Sequence, residues 1–128
     1  MAAARTQNGV PYSWGGGGIH GKSIGIESGA HTVGFDCSGL AQYAVYKGTG
    51  KVIARTAATQ YADSHCHHVP YAQHLPGDLV FFNDGGSIHH VGIMTGPGTF
   101  IQAPHTGDHV REGPVTVKGR MAMVQRCF

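Results

Sequence analysis

The hydrophobic period of this chain changes at Asp78, and that change limits the folds open to it. Before Asp78 the one strongly patterned stretch is helical: Leu40, Ala41, Tyr43, Ala44, Val45 and Lys47 form a stripe over residues 36–47 that stops at Gly48. After it, apolar residues come in short runs closed by turn residues. These runs are Leu79-Val80-Phe81-Phe82, residues 88–95 and residues 99–103, separated by residues 83–87 and by Gly96-Pro97-Gly98. Helices first and hairpin-linked strands afterwards predict an α+β fold, with N-terminal helices packed on an antiparallel sheet. The run at 79–82 does not alternate, which predicts a strand buried on both faces. Weaker strand candidates lie at 109–112, 115–117 and 121–125, and good helix formers after Thr56 predict a short second helix over 55–62. The 21 glycines fit a sheet with tight turns better than a bundle.

A length of 128 residues supports one hydrophobic core and not two, so residues 1–128 read as a single domain. Charge excludes one large class of function. Nine Lys and Arg against seven Asp and Glu leave a net charge of +2, scattered along the chain, which is no footprint for nucleic acid. No run approaches the ~20 apolar residues of a membrane span. The start Met1-Ala2-Ala3-Ala4-Arg5 lacks the basic-then-apolar order of a secretory leader, so no signal peptide is expected in the chain as given. Residues 1–10 read as a lead-in and 11–14 as an extended segment running into Gly15 to Gly18. Residues 19–33, rich in Gly and Ser and without period, read as a long surface loop of the kind that is often functional.

The reactive candidate is Cys37, in Gly34-Phe35-Asp36-Cys37-Ser38-Gly39-Leu40. With Asp36 at the N-cap, Cys37 falls in the first helical turn, where free N–H groups and the positive end of the helix dipole favour thiolate. The competing reading is a small buried apolar residue. A nucleophilic cysteine needs a base, and the base needs a third group to orient it. Among ten histidines, strand alternation singles out His90, which shares a face with Gly92 and Met94, while Phe100 and Gln102 share a face of the partner strand. An odd-numbered loop through Gly96-Pro97-Gly98 brings His90 and Gln102 opposite or nearly opposite each other. His90 as base and Gln102 as orienter follow, conditional on register. A slip of one residue would present His89 instead, otherwise a solvent-facing residue. His105 is an alternative third group or an exposed turn residue.

The cluster His65-Cys66-His67-His68 holds zinc-ligand types, but adjacent residues seldom converge on one ion and no second ligand group stands elsewhere, so no metal site is expected. Tyr12 and Trp14 either line a cleft or pack on the helix. Three cysteines leave pairing open; in an oxidising compartment a Cys66–Cys127 bridge would leave Cys37 free.

These residues resemble the NlpC/P60 family of papain-like cysteine peptidases that cut bacterial cell-wall peptides. The matching motifs are Pro11-Tyr12-Ser13-Trp14-Gly15-Gly16, Phe35-Asp36-Cys37-Ser38-Gly39-Leu40, and Arg55-Thr56 with Gln60. They continue in Leu75-Pro76-Gly77-Asp78-Leu79-Val80-Phe81-Phe82, His90-Val91-Gly92-Ile93-Met94 and Ile101-Gln102-Ala103-Pro104. They stand in the family's order and cover most of the chain. The resemblance implies a small papain-like fold with Cys37 as nucleophile, His90 as base and Gln102 in a third position that is His in many members and Glu, Asn or Gln in others. It implies that Tyr12 lines the site and helps with the oxyanion, and that Asp36 and Ser38 match positions that in some relatives meet the free amine of a short stem peptide. Two departures stand out: residues 17–33 are longer than the usual gap, and Met94 stands where Tyr is frequent.

The function implied is a peptidoglycan hydrolase, a cysteine endopeptidase that cuts the stem peptide between γ-linked D-glutamate and meso-diaminopimelate. It would need no metal or organic cofactor and would act as a monomer, secreted or at the cell wall or periplasm. The rival expectations are a catalytically silent cell-wall binding module of the same fold and a secreted toxin or phage-type lysin using the same chemistry.

Overall fold

The structure is a computed structural model that describes residues 1–128. In chain order the helices are α1 (Ala2–Arg5), α2 (Cys37–Thr49) and α3 (Ala57–Tyr61). The strands are β1 (Ser23–Ile24), β2 (Val33–Gly34), β3 (His67–Pro70), β4 (Leu79–Asp84), β5 (Ser87–Gly96), β6 (Thr99–Gln102), β7 (Arg111–Pro114) and β8 (Met123–Arg126). A six-stranded antiparallel sheet in the order β3-β8-β4-β5-β6-β7 carries the helices, and the fold is α+β as expected. Only β4 to β7 follow one another as a meander. The C-terminal β8 is inserted between β3 and β4, which sequence spacing does not reveal.

α2 is built as its sequence dictates. Asp36 is extended at the N-cap and its carboxylate accepts the Gly39 N–H at 2.7 Å, satisfying one of the first-turn donors. The helix runs past Gly48 to Thr49. It stops at Gly50, whose φ of 78° is open to glycine at little cost. Leu40, Ala41, Ala44 and Val45 are buried against Leu79, Phe81, Val91, Ile93 and Ile101 on one face of the sheet. The opposite face carries its own core of Val69, Val80, Phe82, Met94, Phe100 and Val124. The run at 79–82 thus feeds both cores alternately, which is why it shows no alternation of polarity.

Four segments depart from expectation. Residues 2–5 of the lead-in are helical, and Ala4 is buried in the core beside α2. The stretch 19–33 is structured: β1 and β2 pair through Ser23–Gly34 and Ile24–Val33, with one 3-10 turn at Glu27–Gly29 between them. Glycines hide this from a periodicity reading because they are there for close approach; a Cβ on Gly34 would lie 1.9 Å from the Pro11 carbonyl oxygen. Residues 67 and 68 of the polar cluster lie in β3, where His67 pairs with Arg126 and His68 with Gln125. Finally, residues 115–117 form no strand, and β7 starts at Arg111 rather than at 109. Cys66 and Cys127 are joined in a disulfide that ties the end of β8 to the segment before β3, and Cys37 is free.

Candidate active site

α2 rests on the helical face of the sheet with its first turn at the place where β6 stops. β5 pairs with β6 through Ile93–Ile101 and Met94–Phe100, and β6 ends at Gln102, so residues 87–91 run on with no ladder partner on that side. Cys37 occupies the vacated edge. Its Sγ lies 3.9 Å from the His89 carbonyl oxygen, which accepts the S–H, and the Val91 N–H is directed at the sulfur. The main-chain groups flanking His90 therefore hold the thiol.

His90 projects from the same strand with its imidazole half-buried. The register that pairs Ile93 with Ile101 sets His90 diagonal to Gln102, and Nε2 of the ring lies 2.7 Å from Oε1 of Gln102. An amide oxygen only accepts, so Nε2 carries the hydrogen and the neutral ring keeps its lone pair on Nδ1, the atom a base needs. Gly92 makes this corner possible, because a Cβ there would fall 2.3 Å from Phe100 Cδ2. His89 is exposed and His105 sits on the rim, bonded to the Thr106 carbonyl at 3.0 Å, so neither replaces His90 or Gln102.

Burial pushes the Cys37 thiol up to about 11, against the opposing pull of the Val91 and Ser38 N–H groups, and the Asp36 carboxylate adds to the rise. The helix start alone predicted the reverse. Its dipole is real, but the sulfur is wedged between helix and strand edge, and desolvation of a thiolate there outweighs it. Burial also holds His90 below its ordinary 6.5, partly offset by the Gln102 bond and reinforced by His89 and His105. The resting pair is thus thiol and neutral imidazole. Tyr12, 8% exposed, faces the thiol. Burial first, then Cys37 and Asp36, push its phenol well above the ordinary range, so it stays a hydrogen-bond donor.

Asp36 and Ser38 line the same cleft, with Asp36 Oδ1 and Ser38 Oγ engaged. Arg55 Nη1 lies 2.9 Å from Asp36 Oδ1 and donates to Ser38 Oγ at 2.8 Å, while Nη2 donates to the Gly16 carbonyl at 3.0 Å. The cleft that gathers Tyr12, Asp36, Cys37, Ser38, His90 and Gln102 has a volume of about 1010 Å³. All six residues expected at the site from sequence are in it.

The NlpC/P60 family model matches residues 9–125. The chain belongs to the NlpC/P60 family. Among similar proteins, "Peptidoglycan endopeptidase RipB" of Mycobacterium tuberculosis is 45% identical over 96% of this chain and 49% of its own length. "Peptidoglycan endopeptidase RipA" of Mycolicibacterium smegmatis is 43% identical over 94% of this chain and 24% of its own. The chain therefore spans half or less of these relatives. The solved structure of the peptidoglycan hydrolase RipB from Mycobacterium tuberculosis superposes with a TM-score of 0.88 at 44% identity, covering 98% of this chain and 61% of that one. RipD of the same organism, described as a non-catalytic NlpC/p60 domain protein adapted to peptidoglycan binding, gives 0.87 at 37% identity, covering 99% and 93%.

In this NlpC/P60 domain, sequence reasoning left two contributors without a role. Arg55 stood only as part of a motif, and its link to Asp36 spans 19 positions with no periodic signal. Gln60 is fully buried on α3 and donates to the Ser38 carbonyl at 3.0 Å and the Ala54 carbonyl at 2.9 Å, fastening α3 to the first turn of α2. In the sequence Gln60 stood only in the motif with Arg55-Thr56, and no local pattern marked it as a buried donor.

Proposed function

We propose that this domain is a cysteine endopeptidase of peptidoglycan, secreted or held at the cell wall, that cuts the stem peptide between γ-linked D-glutamate and meso-diaminopimelate. The observation that carries the reading is the Nε2 to Gln102 bond, which leaves Nδ1 of His90 as a free base in the cleft that holds the Cys37 thiol. The substrate class is supported by the relatives named as peptidoglycan endopeptidases, and the bond position rests on the family resemblance alone.

In the reaction, the thiol turns from the His89 carbonyl to Nδ1 and gives up its proton as Sγ attacks the scissile carbonyl carbon. The carbonyl electron pair moves to oxygen, where the Tyr12 hydroxyl and first-turn N–H groups of α2 donate to it. The tetrahedral species collapses, the C–N bond breaks, and the proton on Nδ1 passes to the departing amine. This leaves a thioester on Cys37. His90 then deprotonates a water that attacks the thioester, releasing the new carboxylic acid and restoring the thiol. Gln102 fixes the ring and its tautomer and adds no charge to stabilise an imidazolium. Asp36 and Ser38, braced by Arg55, hold the first turn and border the acyl side of the cleft. The domain needs no cofactor and works as a monomer.

RipD is the structural precedent for the silent binding module. Retention of Cys37, His90 and the His90–Gln102 bond favours turnover here. The test is mass spectrometry of purified peptidoglycan fragments after incubation with the protein and with Cys37→Ala. New fragments cut after D-glutamate with the wild type alone support the endopeptidase. Intact fragments in both samples, with protein still sedimenting with cell wall, support the binding module.

A further inference from the structure

The cleft carries two arginines, and they differ in how much of the guanidinium is in use. Arg55 is spent: Asp36, Ser38 and the Gly16 carbonyl take both of its terminal nitrogens. Arg111 keeps its terminal fork. Only its Nε is engaged, donating to Asp108 Oδ2 at 3.2 Å, which steadies the side chain and leaves Nη1 and Nη2 without a protein acceptor. Its position is fixed by the sheet, since Arg111 on β7 pairs directly with Gln102 on β6. Residues paired in this way project to the same face about 5 Å apart, so the guanidinium stands beside the group that orients His90.

Asp108 pairs with the Nε side of Arg111, and beyond that pair the cleft around the free fork carries little negative charge. Asp36 is the one carboxylate among the cleft-lining residues, and Arg55 already neutralises it; the other ionisable groups there are Arg111, His89, His90 and His105, with Cys37 and Tyr12 held protonated. Planar guanidinium forks match carboxylates in a two-point geometry that ammonium groups and neutral donors do not reproduce. We propose that Arg111 is a specificity residue that reads a carboxylate on one of the two substrate residues that flank the scissile bond. The proposal rests on the peptidase reading for the identity of the substrate. Two carboxylates have this chemistry: the one left free by a γ linkage on the acyl side, and one on the diamino acid of the leaving side.

The test uses four synthetic stem tetrapeptides: one with both carboxylates free, one with the acyl-side carboxylate as carboxamide, one with the leaving-side carboxylate as carboxamide, and one with both. Binding to the Cys37→Ala protein with and without Arg111→Gln is measured by calorimetry, and turnover is measured for the wild type and Arg111→Gln. Arg111→Gln should weaken binding of the all-acid peptide about tenfold and raise KM by a similar factor with kcat little changed, the worth of one charge-assisted pair at a part-exposed site. Amidation of one of the two positions should abolish that difference and so name the carboxylate. Arg111→Lys should recover part of the affinity. An equal loss on all four peptides, or a loss confined to kcat with a shifted pH profile, would make Arg111 a positioning residue for Gln102 and overturn the proposal; no loss on any peptide would overturn it outright. If the wild type turns over none of the peptides while Arg111→Gln still loses affinity for the acid forms, the peptidase reading fails and the carboxylate site stands. Absence of both binding and turnover would remove both.

Discussion

At the scale of single residues, the chemistry turns on one protonation state. Cys37 is a partly buried thiol whose hydrogen bond goes to a main-chain carbonyl, and His90 is a half-buried imidazole held by a neutral amide. Alkylation by iodoacetamide should therefore climb through pH about 11 rather than level off near neutrality. A plateau already reached at pH 6 would mean a resting ion pair. Gln102→Glu supplies a charge that favours imidazolium, and should move that rise toward neutral pH. Gln102→Ala should lower kcat/KM by roughly tenfold to a hundredfold without abolishing turnover, a part of the ~10²–10⁴ that a positioned base supplies. Burial of His90 also makes a stability prediction. The unfolded chain takes up a proton near pH 6.5 while the native ring stays neutral, so stability falls on acidification through that value and recovers as pH rises. Urea unfolding at pH 5.5 and 7.5, for wild type and His90→Ala, checks the sign; a pH dependence unchanged by the substitution would contradict it.

Elements place these residues, and here the sequence was legible to different depths. α2 could be read almost whole, because the cap at Asp36, the apolar stripe and the glycine stop are local signals. The Thr56 cap of α3 was likewise visible, and it is realised as a reciprocal pair with Thr59. The His90–Gln102 partnership followed from alternation and one hairpin loop. What escaped is non-local. β1 and β2 are two residues each and are set by glycine clearances, β3 exists only because β8 pairs with it, and the neighbourhood of Arg55 depends on three separated segments. The thiol's raised pKa escaped for the same reason: the cap is local, whereas burial against β5 is tertiary. Gln60 tests the joint between α3 and α2. Gln60→Leu leaves the Ser38 and Ala54 carbonyls without their donor and should cost about 2–3 kcal/mol in chemical denaturation. A neutral outcome would show that water replaces both bonds.

Across the whole molecule, the sheet is shared between two cores, and β8 closes it at a late point in the chain. The Cys66–Cys127 disulfide, spanning a sequence separation of 61, fixes that closure. Reduction should lower stability by about 2–4 kcal/mol, chiefly by freeing the unfolded chain, and leave the geometry around Cys37 in place because the bridge lies outside the cleft. The paired substitutions Cys66→Ser and Cys127→Ser, measured by thermal unfolding, check the magnitude. Unchanged stability would assign the closure to strand pairing alone. No helix is long and apolar enough to cross a membrane.

The claim on which the rest depends is that Cys37 forms a covalent acyl intermediate under the care of His90. Its most direct test is intact-protein mass spectrometry of the protein quenched in acid during turnover of a stem tetrapeptide, with the adduct mapped by proteolysis. The account predicts a mass gain equal to the acyl half of the substrate, located on the peptide containing Cys37, labile to hydroxylamine and absent from Cys37→Ala. Turnover with no adduct under any quench, or an adduct on another residue, would contradict it.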